Sequence, residues 1–111
     1  MTQKDDSVYV EHILESIKRI AEYVEDGKSG FYQSTLIQDA VTRNLQVLAE
    51  SSQRLSDEFK SQHTSIPWRE LSGFRNILVH DYPGIDLDAV WSVVEHDLPP
   101  LRASLTGCQS R

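Results

Sequence analysis

The segment from Phe74 to Gly84, with the sequence FRNILVHDYPG, carries four side chains that could do chemistry together. They are Arg75, Asn76, His80 and Tyr82. Histidine exchanges a proton near neutral pH, and arginine offers a permanent charge on a planar donor fork that matches phosphate oxygens. Asparagine can donate to a phosphate or orient an imidazole, and tyrosine can hydrogen-bond a substrate or stack on a base.

Metal-free cleavage of RNA is a reaction that these side chains could support. The substrate's own 2′-hydroxyl acts as the nucleophile, so the enzyme must supply a base, an acid and a cation that stabilises the phosphorane. His80 suits the proton transfers and Arg75 suits the phosphorane charge. Asn76 and Tyr82 would support them.

The spacing of Arg75 and His80 limits how they can act together. In an unbroken helix they lie about 140° apart around the axis, because each residue adds ~100°. Either the last helical turn unwinds and swings His80 inward, or the site combines residues from two chains. A two-fold dimer that packs this helix against its copy would bring two arginines and two histidines into one cleft.

Arg75 and His80 alone carry little information, and composition alone favours a structural role for them at a capped helix end. In that reading each would pair with a carboxylate of its own chain. The remaining histidines, His12, His63 and His96, have no companions at metal-ligand spacing and are expected to be structural or exposed. The sequence contains no HExxH, CxxC, GxSxG or phosphate-binding glycine loop, which disfavours metal catalysis and serine or cysteine nucleophiles.

Asp39 and Arg43 form an i,i+4 pair within the sequence DAVTRNLQVLAES. The simpler interpretation is a solvated helix face whose ion pair contributes a few tenths of a kcal/mol. The alternative is that one or both support a site formed elsewhere.

Length and composition indicate one soluble domain. The chain has 111 residues, 39% of them hydrophobic, with a net charge of −6. We expect a domain over residues 1–106 and a tail over 107–111. The single cysteine, Cys108, fits a reducing cytoplasmic setting. We expect neither a signal peptide nor a membrane span, since no apolar segment approaches the ~20 residues that a bilayer requires. The acidic charge argues against a surface that tracks phosphates throughout, but not against a local basic site.

The apolar residues recur at helical spacing in four segments, and no segment alternates like a strand. The first helix is predicted from about Asp6 to Glu25, and the second from Ser34 to Phe59 or Lys60. The third begins at Ser65–Pro67 and ends before Pro83, and the fourth opens at the N-cap Asp86. Predicted breaks are Gly27–Gly30, Ser61–Pro67 and Asp81–Gly84. The fold prediction is an all-α, antiparallel four-helix bundle whose last helix is kinked at Pro99–Pro100.

The sequence also resembles a known family. The stretch RNILVHDY resembles the R-N-x-L-x-H-x-Y signature of the HepT-like (DUF86) branch of the HEPN superfamily, the toxins of HEPN–MNT toxin–antitoxin modules. The resemblance covers most of the chain. The stretch DAVTRNLQVLAES is similar to the second helix of the family, IPWRELSGFRNILVHDY to its third and IDLDAVWSVVEHDLPPLRASL to its last.

The resemblance implies a small helical homodimer with a metal-independent endoribonuclease site at its interface and no cofactor. Arg75 and His80 match the catalytic pair, Asn76 the polar residue that follows the arginine, and Tyr82 the motif tyrosine. It also implies a cognate MNT-domain nucleotidyltransferase as antitoxin. Tyr82 is then the candidate acceptor of an AMP group, which would place bulk and negative charge beside His80.

A second function remains open at this point. Helical domains of the same kind also serve as non-catalytic companion subunits that dock on a nucleotidyltransferase, and fold alone does not separate the two roles. The intact Arg75 and His80 favour the enzyme. The RNA target is not indicated by the sequence.

Overall fold

A computed structural model describes the backbone of residues 2–78 and 86–109 and the side chains of residues 6–74 and 86–107. All regular structure in these ranges is helical. The elements are α1 (Thr2–Tyr23), α2 (Gly27–Gln33), α3 (Thr35–Arg54), α4 (Asp57–Gln62), α5 (Trp68–Leu78), α6 (Leu87–Ser92), a π turn (Val93–Asp97) and α7 (Leu98–Gln109). The predicted all-α bundle is confirmed.

The core lies between the long helices. α3 packs against α1 on one side and α5 on the other, and α7 packs against α1. Each helix contributes its apolar stripe to one continuous cluster of buried side chains. The cluster includes Val10, Ile13, Ile17 and Ile20 of α1, Val41, Leu45, Leu48 and Ala49 of α3, Leu71 and Phe74 of α5, and Leu98, Leu101 and Leu105 of α7.

The predicted break at Gly27–Gly30 is wrong, because these residues begin the short helix α2. Gly27 has a φ of 82°, a conformation that favours glycine and lets the chain turn directly from α1 into α2. The far end of α2 is closed by Gln38, whose amide donates to the carbonyls of Phe31 at 3.0 Å and Tyr32 at 3.2 Å. A glycine-rich stretch therefore starts a helix here.

The predicted second helix is in fact two helices. α3 ends at Arg54, Leu55 is extended, and α4 begins after the N-cap Ser56, whose hydroxyl accepts the Phe59 N–H at 3.0 Å. The apolar spacing continues across the break because Leu55 is buried and Phe59 packs against the core. Periodicity alone therefore gave no sign of the interruption.

The last helix starts where it was predicted and is irregular close to the two prolines. Asp86 is the N-cap, and its carboxylate accepts the Ala89 N–H at 3.1 Å. The π turn immediately precedes Pro99–Pro100, and the Leu98 N–H donates to the Val93 carbonyl, five residues back. Since proline has no N–H and its ring collides with the carbonyl four residues earlier, a wider turn ahead of the pair relieves that conflict.

Within the described residues, no helix is long and apolar enough to cross a membrane.

A buried carboxylate joins the start of α1 to the junction between α3 and α4. Asp6 is only 6% exposed. Its two oxygens accept the Ser56 N–H at 2.8 Å and the Ser56 hydroxyl at 2.7 Å. The same hydroxyl caps α4, so one carboxylate fixes the place where the chain leaves α3.

We predict that Asp6→Ala lowers the free energy of unfolding by about 2 kcal/mol, because it leaves two donors of Ser56 without their charged acceptor. Urea unfolding followed by circular dichroism measures the loss. Glu11→Ala is the control, since Glu11 is an exposed carboxylate on the same helix. Equal denaturation midpoints for the two variants would contradict a structural role for Asp6.

Candidate active site

The motif begins in the last turns of α5. Arg75 and Asn76 lie within this helix, although their side chains are outside the described residues, and His80 and Tyr82 lie in the segment 79–85, which is also outside them. The predicted roles of all four residues therefore stay predictions. The structure does describe the elements at both ends of that segment.

The upstream end is held by the packing of α5. Leu71 and Phe74 are 1% and 4% exposed and fix α5 against α3. At its start, the Trp68 indole N–H donates to the His63 carbonyl at 3.0 Å. The Trp68 ring also meets the edge of Phe59, with centroids 5.9 Å apart. The position of Arg75 is seven residues after Trp68, two turns further along and on the same side of the helix.

His63 is part of this anchor. Its ring stacks on Phe59 with centroids 4.2 Å apart, and its Nδ1 lies 2.9 Å from the Phe59 carbonyl. Because a carbonyl oxygen only accepts, Nδ1 carries the proton. His63 is thus half-buried and structural, in contrast to His12 and His96, which are exposed.

The downstream end is held by contacts between α2 and α6. The Tyr32 hydroxyl donates to the carboxylate of Asp88, two residues after the N-cap Asp86. Beside this bond, Phe31 packs against Trp91 with ring centroids 5.4 Å apart. Tyr32 and Asp88 are 56 residues apart and neither lies in a motif, so local sequence patterns give no sign of this pair. These contacts fix the start of α6, the first described element after the motif.

Two explanations exist for the offset of about 140° between Arg75 and His80, namely unwinding of the last helical turn or a site formed by two chains. The end point of α5 limits the first of them. The helix is continuous to Leu78, so unwinding ahead of residue 78 is ruled out. Any change in direction that brings His80 towards Arg75 must begin at residue 79 or later.

Asp39 and Arg43 are both exposed side chains on α3. In the part of the chain that the structure describes, neither takes part in an ion pair, so the i,i+4 bridge expected from the spacing is not formed. Gln46 and Glu50, two turns further along α3, are joined by a hydrogen bond of 3.4 Å. A role for Asp39 or Arg43 in supporting the site stays a prediction.

Two surface clefts occur elsewhere, between α1 and the C-terminal part of the bundle. One has a volume of about 520 Å³ and includes His12, Lys18 and Arg102 in its wall. The other, about 320 Å³, is mostly apolar and lies between α1 and the residues around Pro99. None of their described lining residues comes from α3 or α5, so neither cleft coincides with the region that holds the motif.

The order and packing of these helices are those of a helical bundle of the HEPN type. The fold matches a solved HEPN toxin of Shewanella oneidensis, tri-AMPylated and in complex with an MNT antitoxin, with a TM-score of 0.72 and 26% identity. The match covers 96% of this chain and 98% of that one. A family model described as "Ribonuclease HepT-like" matches residues 13–106. The chain belongs to this family.

Curated relatives agree with this assignment. A "Probable ribonuclease HepT" of Thermococcus cleftensis is 36% identical over 95 residues, which cover 85% of this chain and 86% of the relative. A protein of Methanocaldococcus jannaschii named "Gamma-glutamylcyclotransferase and putative RNase MJ0434" is 39% identical over 104 residues, or 93% of this chain. The aligned part is 47% of that relative, so the chain spans about half its length.

The contact between Tyr32 and Asp88 has a measurable consequence. The hydrogen bond to Asp88, partial burial and the negative charges of Asp88 and Asp86 together raise the pKa of Tyr32 from 10.0 to about 12. A raised pKa means that the folded state holds the phenol proton more tightly than the unfolded chain does. The stability from this bond is therefore present below pH 10 and is lost as the pH rises towards 12.

We predict that ultraviolet titration finds one of the four tyrosines ionising near pH 12. Tyr32→Phe should remove this late step, and Asp88→Asn should move it down towards pH 10 because the carboxylate charge is gone. Tyr23→Phe is the control, because Tyr23 is an exposed tyrosine. If the late step persists in Tyr32→Phe, the assignment is wrong.

Proposed function

We propose that this protein is an endoribonuclease toxin of a HEPN/MNT toxin–antitoxin system, acting in the cytoplasm without a metal ion. The observation that carries the proposal is the family match over residues 13–106, a range that includes the complete R-N-x-L-x-H-x-Y motif. The relative from Thermococcus cleftensis, named as a ribonuclease over nearly the same length, supports it.

In the proposed reaction the ribose 2′-oxygen attacks the adjacent phosphorus and the bond to the 5′-oxygen breaks. The 2′-hydroxyl loses a proton to a base and the leaving 5′-oxygen gains one from an acid. His80 serves as general acid/base because imidazole is half protonated near neutral pH. Arg75 binds two phosphate oxygens and stabilises the extra negative charge of the phosphorane. Its guanidinium group stays charged throughout the reaction, so this stabilisation needs no proton transfer. Asn76 and Tyr82 orient the imidazole or hold the substrate.

The geometry of α5 supports a site shared by two chains. The helix is continuous through Leu78, and if it went on unbroken, the positions of Arg75 and His80 would lie about 140° apart around its axis. A homodimer related by a two-fold axis supplies Arg75 and His80 twice, and each phosphate can then meet an arginine of one chain and a histidine of the other.

We predict that His80→Ala and Arg75→Ala each lower the rate of RNA cleavage by about 10²–10⁴-fold, the usual contribution of one acid/base or oxyanion group. Cleavage of a labelled RNA by purified protein measures the rate, and growth inhibition on expression gives a second readout. His96→Ala is the matched control, because His96 is exposed and its only described ion pair is with the adjacent Glu95 at 3.5 Å.

Two results would contradict this assignment. One is full activity of the His80→Ala variant. The other is loss of cleavage when EDTA removes divalent ions, since the proposed chemistry depends on side chains alone. A dimer that leaves RNA intact but increases nucleotidyl transfer by a partner enzyme would instead identify the chain as a companion subunit.

An MNT-type nucleotidyltransferase is the proposed antitoxin. The Shewanella oneidensis toxin of similar fold was solved with an MNT antitoxin and carries AMP groups. In this chain we propose Tyr82 as the acceptor. Its phenol oxygen would attack the α-phosphorus of ATP, form a phosphodiester and release pyrophosphate, while the phenol proton passes to solvent. The product adds a phosphate charge and a nucleoside close to His80, which repels RNA phosphates and blocks access.

We predict that incubation with the cognate MNT nucleotidyltransferase and ATP adds the mass of at least one AMP and abolishes RNA cleavage. Tyr82→Phe should receive no AMP, and whatever rate of RNA cleavage this variant has on its own should not fall when the antitoxin and ATP are added. Tyr23→Phe, at an exposed tyrosine, should behave like the parent chain. Modification of the Tyr82→Phe variant, read by peptide mass spectrometry, would place the acceptor elsewhere.

A further inference from the structure

A groove between α1 and the C-terminal part of the bundle contains both surface clefts. The polar cleft lies between residues 11–18 of α1 and residues 102–106 of α7, and the apolar cleft between residues 17–24 of α1 and residues 94–102. Arg102 is in the wall of both, so the two clefts adjoin. The groove follows α1 for about 20 Å, at 1.5 Å per residue. It is charged at one end and apolar at the other.

The polar cleft offers positive charge that the chain itself does not neutralise. Lys18 and Arg102 come from opposite walls, and neither forms an ion pair among the residues that the structure describes. Of the two carboxylates in this cleft, that of Glu15 is bound by Arg19 at 3.1 Å, and Glu11 lies at the end farthest from the apolar cleft. A phosphate group between the two helices can therefore accept hydrogen bonds from both cations.

The apolar cleft provides a surface for a flat, apolar group. Ile20 and Leu98, which are 1% and 3% exposed, form its floor, and the exposed Ala21 and Pro99 stand at its edges. The volumes of the two clefts, about 320 Å³ and about 520 Å³, both lie in the range of roughly 300–1,000 Å³ that is usual for small-molecule sites. Arg102 suits the boundary between them, because its stem is apolar and its guanidinium is charged.

We propose that this groove binds a free nucleotide, a nucleoside mono- or diphosphate such as ADP. The base lies in the apolar cleft beside Pro99, and the phosphates lie between Lys18 and Arg102. Glu11 is beyond the two cations and disfavours a longer phosphate chain, since like charges repel. The inference goes beyond the proposed ribonuclease function, because none of the described lining residues comes from the motif helix α5.

A strand of RNA is a poorer fit to this groove than a single nucleotide. Proteins that bind single strands usually stack successive bases on aromatic side chains along a continuous positive surface. Apart from His12, the described lining residues include no aromatic ring, and Glu11 and Glu15 interrupt the positive charge.

The first test compares a whole nucleotide with its two halves. Isothermal titration calorimetry should find that ADP binds at a single site per chain. Adenosine and pyrophosphate each fill only one cleft and should bind more than about tenfold less tightly. Absence of ADP binding up to about 1 mM overturns the inference. So does a pyrophosphate affinity equal to that of ADP, since the apolar cleft would then contribute nothing.

The second test removes the charges of the polar cleft. Lys18→Ala and Arg102→Ala should each weaken ADP binding about tenfold, because a hydrogen bond to a charged group typically contributes that factor or more. Arg43→Ala is the matched control, since it removes an exposed arginine of α3 that lines neither cleft. Unchanged ADP binding by a folded Arg102→Ala variant would place the nucleotide elsewhere and refute the proposed site.

The third test concerns the apolar cleft. Ala21→Glu puts a carboxylate where the base would lie and should weaken ADP binding about tenfold, since the charge would have to lose water against the base. Ala103→Glu makes the same substitution at an exposed alanine of α7 outside both clefts and should leave the affinity unchanged. Equal losses in the two variants would contradict the placement of the base.

The motif could itself bind a phosphate, so its contribution must be separated from that of the groove. A double variant, Arg75→Ala with His80→Ala, should bind ADP as tightly as the parent chain. Loss of binding in this variant would assign the nucleotide to the motif and overturn the inference. Displacement of ADP by single-stranded RNA from the same variant would also overturn it, because the groove would then be part of an RNA path. None of these results depends on whether the chain cleaves RNA.

Discussion

The structure depends on the packing of α3 between α1 and α5. This one helix buries Val41, Leu45, Leu48 and Ala49 on its inner side, and each of these side chains is at most 1% exposed. A buried aliphatic side chain contributes roughly 1.5–3 kcal/mol, so these contacts are the main source of stability at the centre of the bundle. Since α5 lies against α3, the orientation of the motif helix follows from the same packing.

The motif segment is short and is fixed at both ends by interactions of different kinds. Upstream, the aromatic cluster of Phe59, His63 and Trp68 anchors the first turn of α5, and the core side chains hold the rest. Downstream, the bond from Tyr32 to Asp88 holds the start of α6 against α2. The two anchors are independent, so the end of α5 and the start of α6 are each held by contacts among residues outside the segment that joins them. This separation suits a segment whose residues are chosen for chemistry.

Local sequence patterns predicted correctly those features of the fold that neighbouring residues determine. The 3.6-residue spacing gave the helical fold, and Asp86 and Pro67 gave two helix starts, since caps and prolines act on their immediate neighbours. The break at Leu55 was missed because it depends on Asp6, fifty residues away, and on a Ser56 cap within an uninterrupted apolar spacing. The anchor between Tyr32 and Asp88 spans 56 residues and leaves no local sign.

The net charge of −6 would be expected to repel RNA, which is itself negatively charged. The distribution of charge along the chain weakens this objection. Charges farther apart than the Debye length of about 8 Å are largely screened, so the local balance decides. Between residues 54 and 75 there are four Lys and Arg residues and three carboxylates, whereas residues 86–97 carry four carboxylates and no Lys or Arg. The two sides of the motif thus differ in sign. In the proposed function, RNA approaches over α4 and α5, where the positive surplus is small. In the same proposal, one phosphate charge added at Tyr82 would cancel this surplus and so would oppose the binding of RNA.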